Sequence, residues 1–193
     1  MLTDGESRNG AINWSNKGDR FTYYTTKRNG KDWDVYMADI KHPEKAVPVL
    51  EPEGTWIAVD WSPDDKQLLV LNYVSANESY FHILDIKSKK LTPVNPSKQK
   101  IAYVGASYAK NRKGIFLVSD EGGEYQHLRY YDIKSQKSKD ITPNLKWNVS
   151  DFTLSDDGNF IAYSVNEGGI DKVHLLNIKK EYKEVKLPEF PLG

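Results

Sequence analysis

The chain has 193 residues, with 27 basic and 27 acidic side chains, no formal net charge and no cysteine. That balance gives no electrostatic case for nucleic acid or a membrane surface as partner, and the missing thiol removes disulfides, cysteine nucleophiles and cysteine-based zinc sites together. No run approaches the roughly 18 apolar residues of a membrane span, and the N-terminus MLTDGESRNG has no apolar signal-peptide stretch. The compartment stays open, with the cytoplasm favoured over the periplasm or secretion.

The aromatic residues, 12 Tyr, 6 Phe and 5 Trp, lie in short segments rich in Val, Ile and Thr, which favours β structure. In chain order, Leu2-Thr3-Asp4-Gly5 comes first and reads as the closing strand of a preceding unit, so residues 1–10 are assigned to its end. Next comes Trp14-Ser15 in AINWSNKGDRF, and 47 residues later Trp61-Ser62 in AVDWSPDDKQL. Another 47 residues lead to Tyr108-Ala109, and 46 more to Leu154-Ser155. An apolar residue follows each anchor by seven: Phe21, Leu68, Ile115 and Ile161. Between them lies a polar turn with Gly18, Asp65, Arg112 or Gly158 at its fourth position, where glycine suits a positive φ, aspartate tolerates it and arginine fits poorly.

A second anchor runs in step: Asp39-Ile40, Asp85-Ile86, Asp132-Ile133 and Asn177-Ile178. A third closes the unit at Val49-Leu50, Leu91-Thr92-Pro93, Ile141-Thr142-Pro143 and Val185-Lys186-Leu187-Pro188. Each unit then holds four short β runs; in the second they are 58–62, 67–73, 80–86 and 90–94. No stretch keeps a helical apolar period over three turns. Four strands per unit at this period predict an all-β chain, a β-propeller with blades at 11–52, 56–95, 101–144 and 147–190. Trp14, Trp61, Tyr108 and Leu154 are expected to fill the space between blades, and Asp39, Asp85 and Asp132 to accept backbone N–H groups at turn starts. Four blades make either a small complete ring or part of a larger one. The extra strand at residues 2–5 favours the larger ring, whose uncovered faces predict self-association.

These blades, read on WSNKGDRFTYYTTKRNGKDWDVYMADI, DWSPDDKQLLVLNYVSANESYFHILDI and LSDDGNFIAYSVNEGG, resemble the TolB-like (PD40) repeat. Together with FLVSDEGGEYQHLRYYDI they look most like the N-terminal propeller of prolyl-oligopeptidase-type (S9) serine peptidases. The resemblance implies a non-catalytic propeller that gates access for peptide substrates and docks an α/β-hydrolase domain, which is this segment's implied partner. It implies no cofactor. The alternative it leaves open is a stand-alone TolB-like propeller that binds protein or peptide.

The family's serine, aspartate and histidine have no positions here, because no Gly-x-Ser-x-Gly-Gly occurs. VGASYA at 104–109 comes nearest to a nucleophile elbow, but Ala109 stands where glycine is required and KNRKGIFLVSD follows instead of a helix, so Ser107 reads as a strand residue. His82, His127 and His174 fall on the third strands of different blades and His42 in a turn, too spread to share one metal. Among the turns between second and third strands, three carry acid. Glu78, Glu121, Glu124 and Glu167 are therefore the candidate binding residues, expected on one rim. In dipeptidyl-peptidase relatives propeller glutamates bind the substrate's free amino terminus; no motif here carries that role over residue by residue.

Overall fold

The structure, a computed structural model, describes residues 4–188. The chain folds as two compact units, Met1–Ile101 and Ala102–Gly193. Each unit holds two four-stranded antiparallel sheets with strands in sequence order. Sheet A is β1 Asn9–Trp14, β2 Arg20–Thr25, β3 Asp34–Asp39 and β4 His42–Leu50. Sheet B is β5 Thr55–Trp61, β6 Gln67–Ser75, β7 Glu78–Asp85 and β8 Leu91–Pro93. In the second unit, sheet C is β9 Tyr103–Tyr108, β10 Gly114–Ser119, β11 His127–Asp132 and β12 Lys137–Asp140. Sheet D is β13 Val149–Leu154, β14 Phe160–Glu167, β15 Ile170–Asn177 and β16 Lys183–Glu184, with one 3-10 turn at Ile178–Lys180 before its last strand.

The strand limits correct the repeat-based ones at both ends. Asn9 and Gly10 pair with Thr25 and Tyr24, so they open sheet A and do not end a preceding unit. Asp4 and Gly5 are not strand: the Asp4 carboxylate instead accepts the amides of Glu6 and Ser7 in a turn. Residues 1–3 and 189–193 lie outside the described residues. In sheets A and B the closing strand contains its anchor, whereas in sheets C and D it sits earlier, because Lys137–Asp140 and Lys183–Glu184 make the pairing while Ile141 and Val185 add one amide bond each to Leu128 and Leu175.

The β1–β2 turn repeats atom by atom. In sheets A, B and D the serine after the anchor (Ser15, Ser62 or Ser155) binds the carbonyl at the start of the next strand, and its hydroxyl accepts the amide there. The fourth turn residue is left-handed in all four sheets, at φ 68° for Gly18, 56° for Asp65, 64° for Arg112 and 67° for Gly158. Arg112 takes this conformation despite its Cβ, a strain the packed turn over-determines.

The first strand of each sheet also carries a bulge, which the sequence does not announce: the pairing slips between Gly10 and Asn13, Ala58 and Asp60, Tyr103 and Gly105, and Val149 and Asp151. One extra residue bends the edge strand and turns a side chain outward, as with half-exposed Val104.

The cores lie between paired sheets. In the first unit Val35 and Val49 of sheet A meet Trp56, Ala58, Trp61, Leu68, Val70 and Leu84 of sheet B. In the second, Phe116, Val118 and Leu128 of sheet C meet Val149, Ile161, Val165 and Leu176 of sheet D. Burying such a side chain fully contributes about 1.5–3 kcal/mol, and most of these residues are completely enclosed.

Candidate functional site

The turns between second and third strands all leave the same end of their own sheets, and their chemistry differs from sheet to sheet. In sheet A the turn is closed on itself. Arg28 forks onto Asp34, Nε to Oδ2 at 2.9 Å and Nη2 to Oδ1 at 3.0 Å, and Nη2 also donates to the Pro52 carbonyl at 2.6 Å. The Asp34 side chain is fully buried, and the bidentate guanidinium satisfies both of its carboxylate oxygens. Asp32 accepts from Gly54 N and Asn29 Nδ2 at 2.9 and 2.8 Å, and the Gly54 amide foremost holds its carboxyl below the usual range. The basic turn therefore clamps the 52–54 connection that leads into sheet B.

In sheet B, Glu78 accepts the Tyr80 hydroxyl at 2.6 Å and pairs with Lys100 at 2.9 Å. The tyrosine hydrogen bond first, and the lysine second, lower its pKa. In sheet C, Glu121 faces Arg129, which takes its backbone carbonyl through Nη2 and lies 3.7 Å from its carboxylate. Arg129 also reaches Asp140 at 3.4 Å, and Asp140 holds His127 Nδ1 at 2.8 Å while His127 Nε2 meets the Leu145 carbonyl at 2.9 Å. In sheet D, Glu167 pairs with Lys172 across the hairpin. Of the four candidate glutamates, three are thus engaged with a cation of their own sheet or its adjoining loop, and Glu124 is the exposed one. No cluster of three or more His, Asp or Glu side chains that could hold a metal occurs among the described residues.

The remaining residues singled out from the sequence have these surroundings. Ser107 lies inside β9 opposite Phe116, and a turn followed by β10 comes next. Asp85 Oδ1 accepts Ser88 N at 2.8 Å, Asp132 Oδ1 accepts Ser135 N at 2.7 Å and Asp39 Oδ1 accepts Lys41 N at 2.8 Å. The serine hydrogen bonds hold the first two carboxyls below their ordinary range. His42 is exposed beside Glu44; His82 lies against Trp56 at 5.1 Å, and burial lowers its pKa; His174 stacks on Tyr163 at 4.8 Å and meets Glu184. Trp61 and Tyr108 are buried, Leu154 is half-buried, and Trp14 is 53 % exposed over Phe21. Trp14 thus has no facing sheet within its unit.

No protein-family model and no curated protein matches the sequence. The fold, by contrast, is matched by solved structures. TolB from Acinetobacter baumannii superposes with a TM-score of 0.72 at 21% identity, covering 90% of this chain and 42% of that one. A prolyl endopeptidase structure gives 0.74 at 17% identity, covering 95% and 28%. Oligopeptidase B from Trypanosoma brucei gives 0.69 at 16% identity, covering 93% and 27%. The four sheets are β-propeller blades. At such identities the likeness establishes the propeller fold alone, and the chain spans less than half the length of each of these three relatives.

Proposed function

We propose that this propeller segment serves a serine peptidase of prolyl-oligopeptidase type. It docks an α/β-hydrolase domain and screens peptide substrates at the turns between second and third strands, and hydrolysis is done by a serine outside residues 1–193. The observation that carries this reading is the match to a prolyl endopeptidase over 95% of the chain. The most accessible of the acidic turn residues, Glu124, is the contact we assign to a substrate's amino group, with Glu78, Glu121 and Glu167 holding the turns in shape through their cations. A second reading, a TolB-like propeller that binds protein or peptide without a hydrolase partner, is supported by the comparable match to TolB.

A fluorophosphonate probe on the natural full-length protein tests the first reading. Peptide mapping is expected to place the label on a serine outside residues 1–193. Label on Ser107, abolished by Ser107→Ala, would overturn it, and a full-length protein that takes no label favours the TolB-like reading.

A further inference from the structure

Inside the second unit, where sheet C leads into sheet D, lies a cleft of about 290 Å³. One wall is the connection at residues 141–145; the other is Tyr163 and Leu176 of sheet D. Among the described residues no charged side chain lines it. Its walls are fixed by the unit's own hydrogen bonds. Ile141 N donates to the Leu128 carbonyl at 2.9 Å, Thr142 N to Asp140 Oδ1 at 2.9 Å, and Leu145 N to the Thr142 carbonyl at 3.0 Å. His127 Nε2 meets the Leu145 carbonyl at 2.9 Å. On the other side the Tyr163 ring is stacked on His174 with 12° between the planes, and Glu184 holds His174 Nδ1 at 2.8 Å. A cleft built in advance loses little ordering entropy when it is filled.

Two polar groups of this cleft are left without work. Tyr163 is only 7 % exposed, yet its hydroxyl makes no hydrogen bond among the described residues, and it is not sealed from solvent space. A buried tyrosine hydroxyl ordinarily has a partner. His174 is not that partner, since its Nε2 is itself buried and unpartnered. Burial first, and the Glu184 and Glu167 carboxylates after it, push the Tyr163 hydroxyl up to about 12, so at neutral pH it has a proton to donate. Asn144 lines the same cleft from an exposed position, and its side chain also has no hydrogen bond among the described residues. Its amide oxygen can accept. A donor and an acceptor between uncharged, largely apolar walls match an amide group that carries an apolar substituent. Pro143 in the wall has no N–H, so the wall cannot pair a whole added strand, and recognition falls on a single residue.

We propose that this cleft binds one apolar residue of a peptide. The side chain lies against Ile141, Leu145 and Leu176, the main-chain carbonyl accepts from the Tyr163 hydroxyl, and the main-chain N–H donates to Asn144 Oδ1. The site goes beyond the peptidase reading, since it uses none of the turn glutamates and holds equally for a TolB-like propeller without a hydrolase partner.

Photo-crosslinking of the natural full-length protein tests this, with the diazirine N-acetyl-photoleucine methylamide as probe. Saturable label on residues 141–145, Tyr163 or Leu176 is expected, displaced by excess N-acetyl-leucine methylamide and not by its aspartate counterpart. Tyr163→Phe removes only an unpartnered hydroxyl. It is expected to keep the wild-type circular dichroism and melting midpoint at neutral pH while weakening the probe's apparent affinity about three- to tenfold, the range of one hydrogen bond. Asn144→Ala, at an exposed position, provides a second reading with the same expected weakening. Label that does not saturate, or that falls only elsewhere, overturns the proposal. So does equal displacement by the aspartate compound. Wild-type affinity in either variant also overturns it, because the cleft would then be an apolar surface that does not read the peptide group.

Discussion

Asp65 in sheet B and Gly158 in sheet D occupy the same place in the repeat and the same left-handed backbone region, yet they join their sheets to the neighbour by opposite means. The Asp65 carboxylate is buried and reaches into sheet A, where it accepts Asn16 N and Nδ2 at 2.8 Å and Lys17 N at 3.1 Å. Gly158 has no side chain to reach with. Lys110 of the preceding turn moves in so far that a Cβ on residue 158 would stand 2.7 Å from the lysine Cβ. The anchors differ in parallel. Trp61 is 2 % exposed and hydrogen-bonded into sheet A, whereas Leu154 is half-buried and shares its groove with Phe116 and Tyr182. One backbone frame thus accepts a polar clasp with a large indole in the first unit, and close backbone contact with aromatic infill in the second.

The comparison is broken most strongly at the indole. Trp61→Ala removes one of the two indoles of the first core and its hydrogen bond to the Asn13 carbonyl; a loss of about 3–5 kcal/mol is expected in urea unfolding. The same experiment on Leu154→Ala should cost less than half as much, since that leucine is only half-buried. Asp65→Asn comes next. It keeps the tolerance for positive φ but turns an amino group toward Lys17 N, and about 1–3 kcal/mol is the expected loss. Gly158→Ala should lose roughly 1–2 kcal/mol through backbone strain, with the Lys110 contact adding to it. If Gly158→Ala were neutral, the close approach of Lys110 would not be what joins sheets C and D.

Alkali should separate the units by a smaller effect. Burial raises the hydroxyls of Tyr163 and Tyr182, both in the second unit, from 10.0 to about 12. A raised pKa contributes stability that is complete below pH 10.0 and is lost as pH rises toward about 12, because the unfolded chain sheds those protons first. Tyr163→Phe with Tyr182→Phe is expected to flatten that decline, as read by circular dichroism across the alkaline range. Smallest of all is Arg112→Gly in sheet C. Relief of a strained φ of 64° is expected to raise stability by less than about 1 kcal/mol, because glycine's extra freedom in the unfolded chain offsets part of it. An unchanged or lowered melting midpoint would mean that the arginine side chain contributes more than its backbone costs.

Much of this architecture is legible in the residues. The serine after three of the four anchors and the aspartate that ends three of the four third strands are local features. Each is fixed by hydrogen bonds that span five residues or fewer, such as Ser62 to Gln67 and Asp85 to Ser88. The turn glutamates are legible as acid near one end of each sheet, but their partners are not. Lys100 lies 22 positions from Glu78, and Arg28 finds the Pro52 carbonyl 24 residues on. No periodicity marks such pairs, because they form only after two strands or a connection have been laid side by side. The bulge in the first strand of each sheet is equally silent, since residues such as Val59 and Val104 read as ordinary strand.

Trp14 and Trp61 draw the boundary most sharply. The sequence by itself determined that each repeat holds four short strands joined by turns, because alternation and turn chemistry are set within one repeat. It gives both tryptophans the same position in that repeat. One is 2 % exposed and the other 53 %. Only the tertiary structure decided this, because burial depends on the sheet that packs over a residue and not on the strand that carries it.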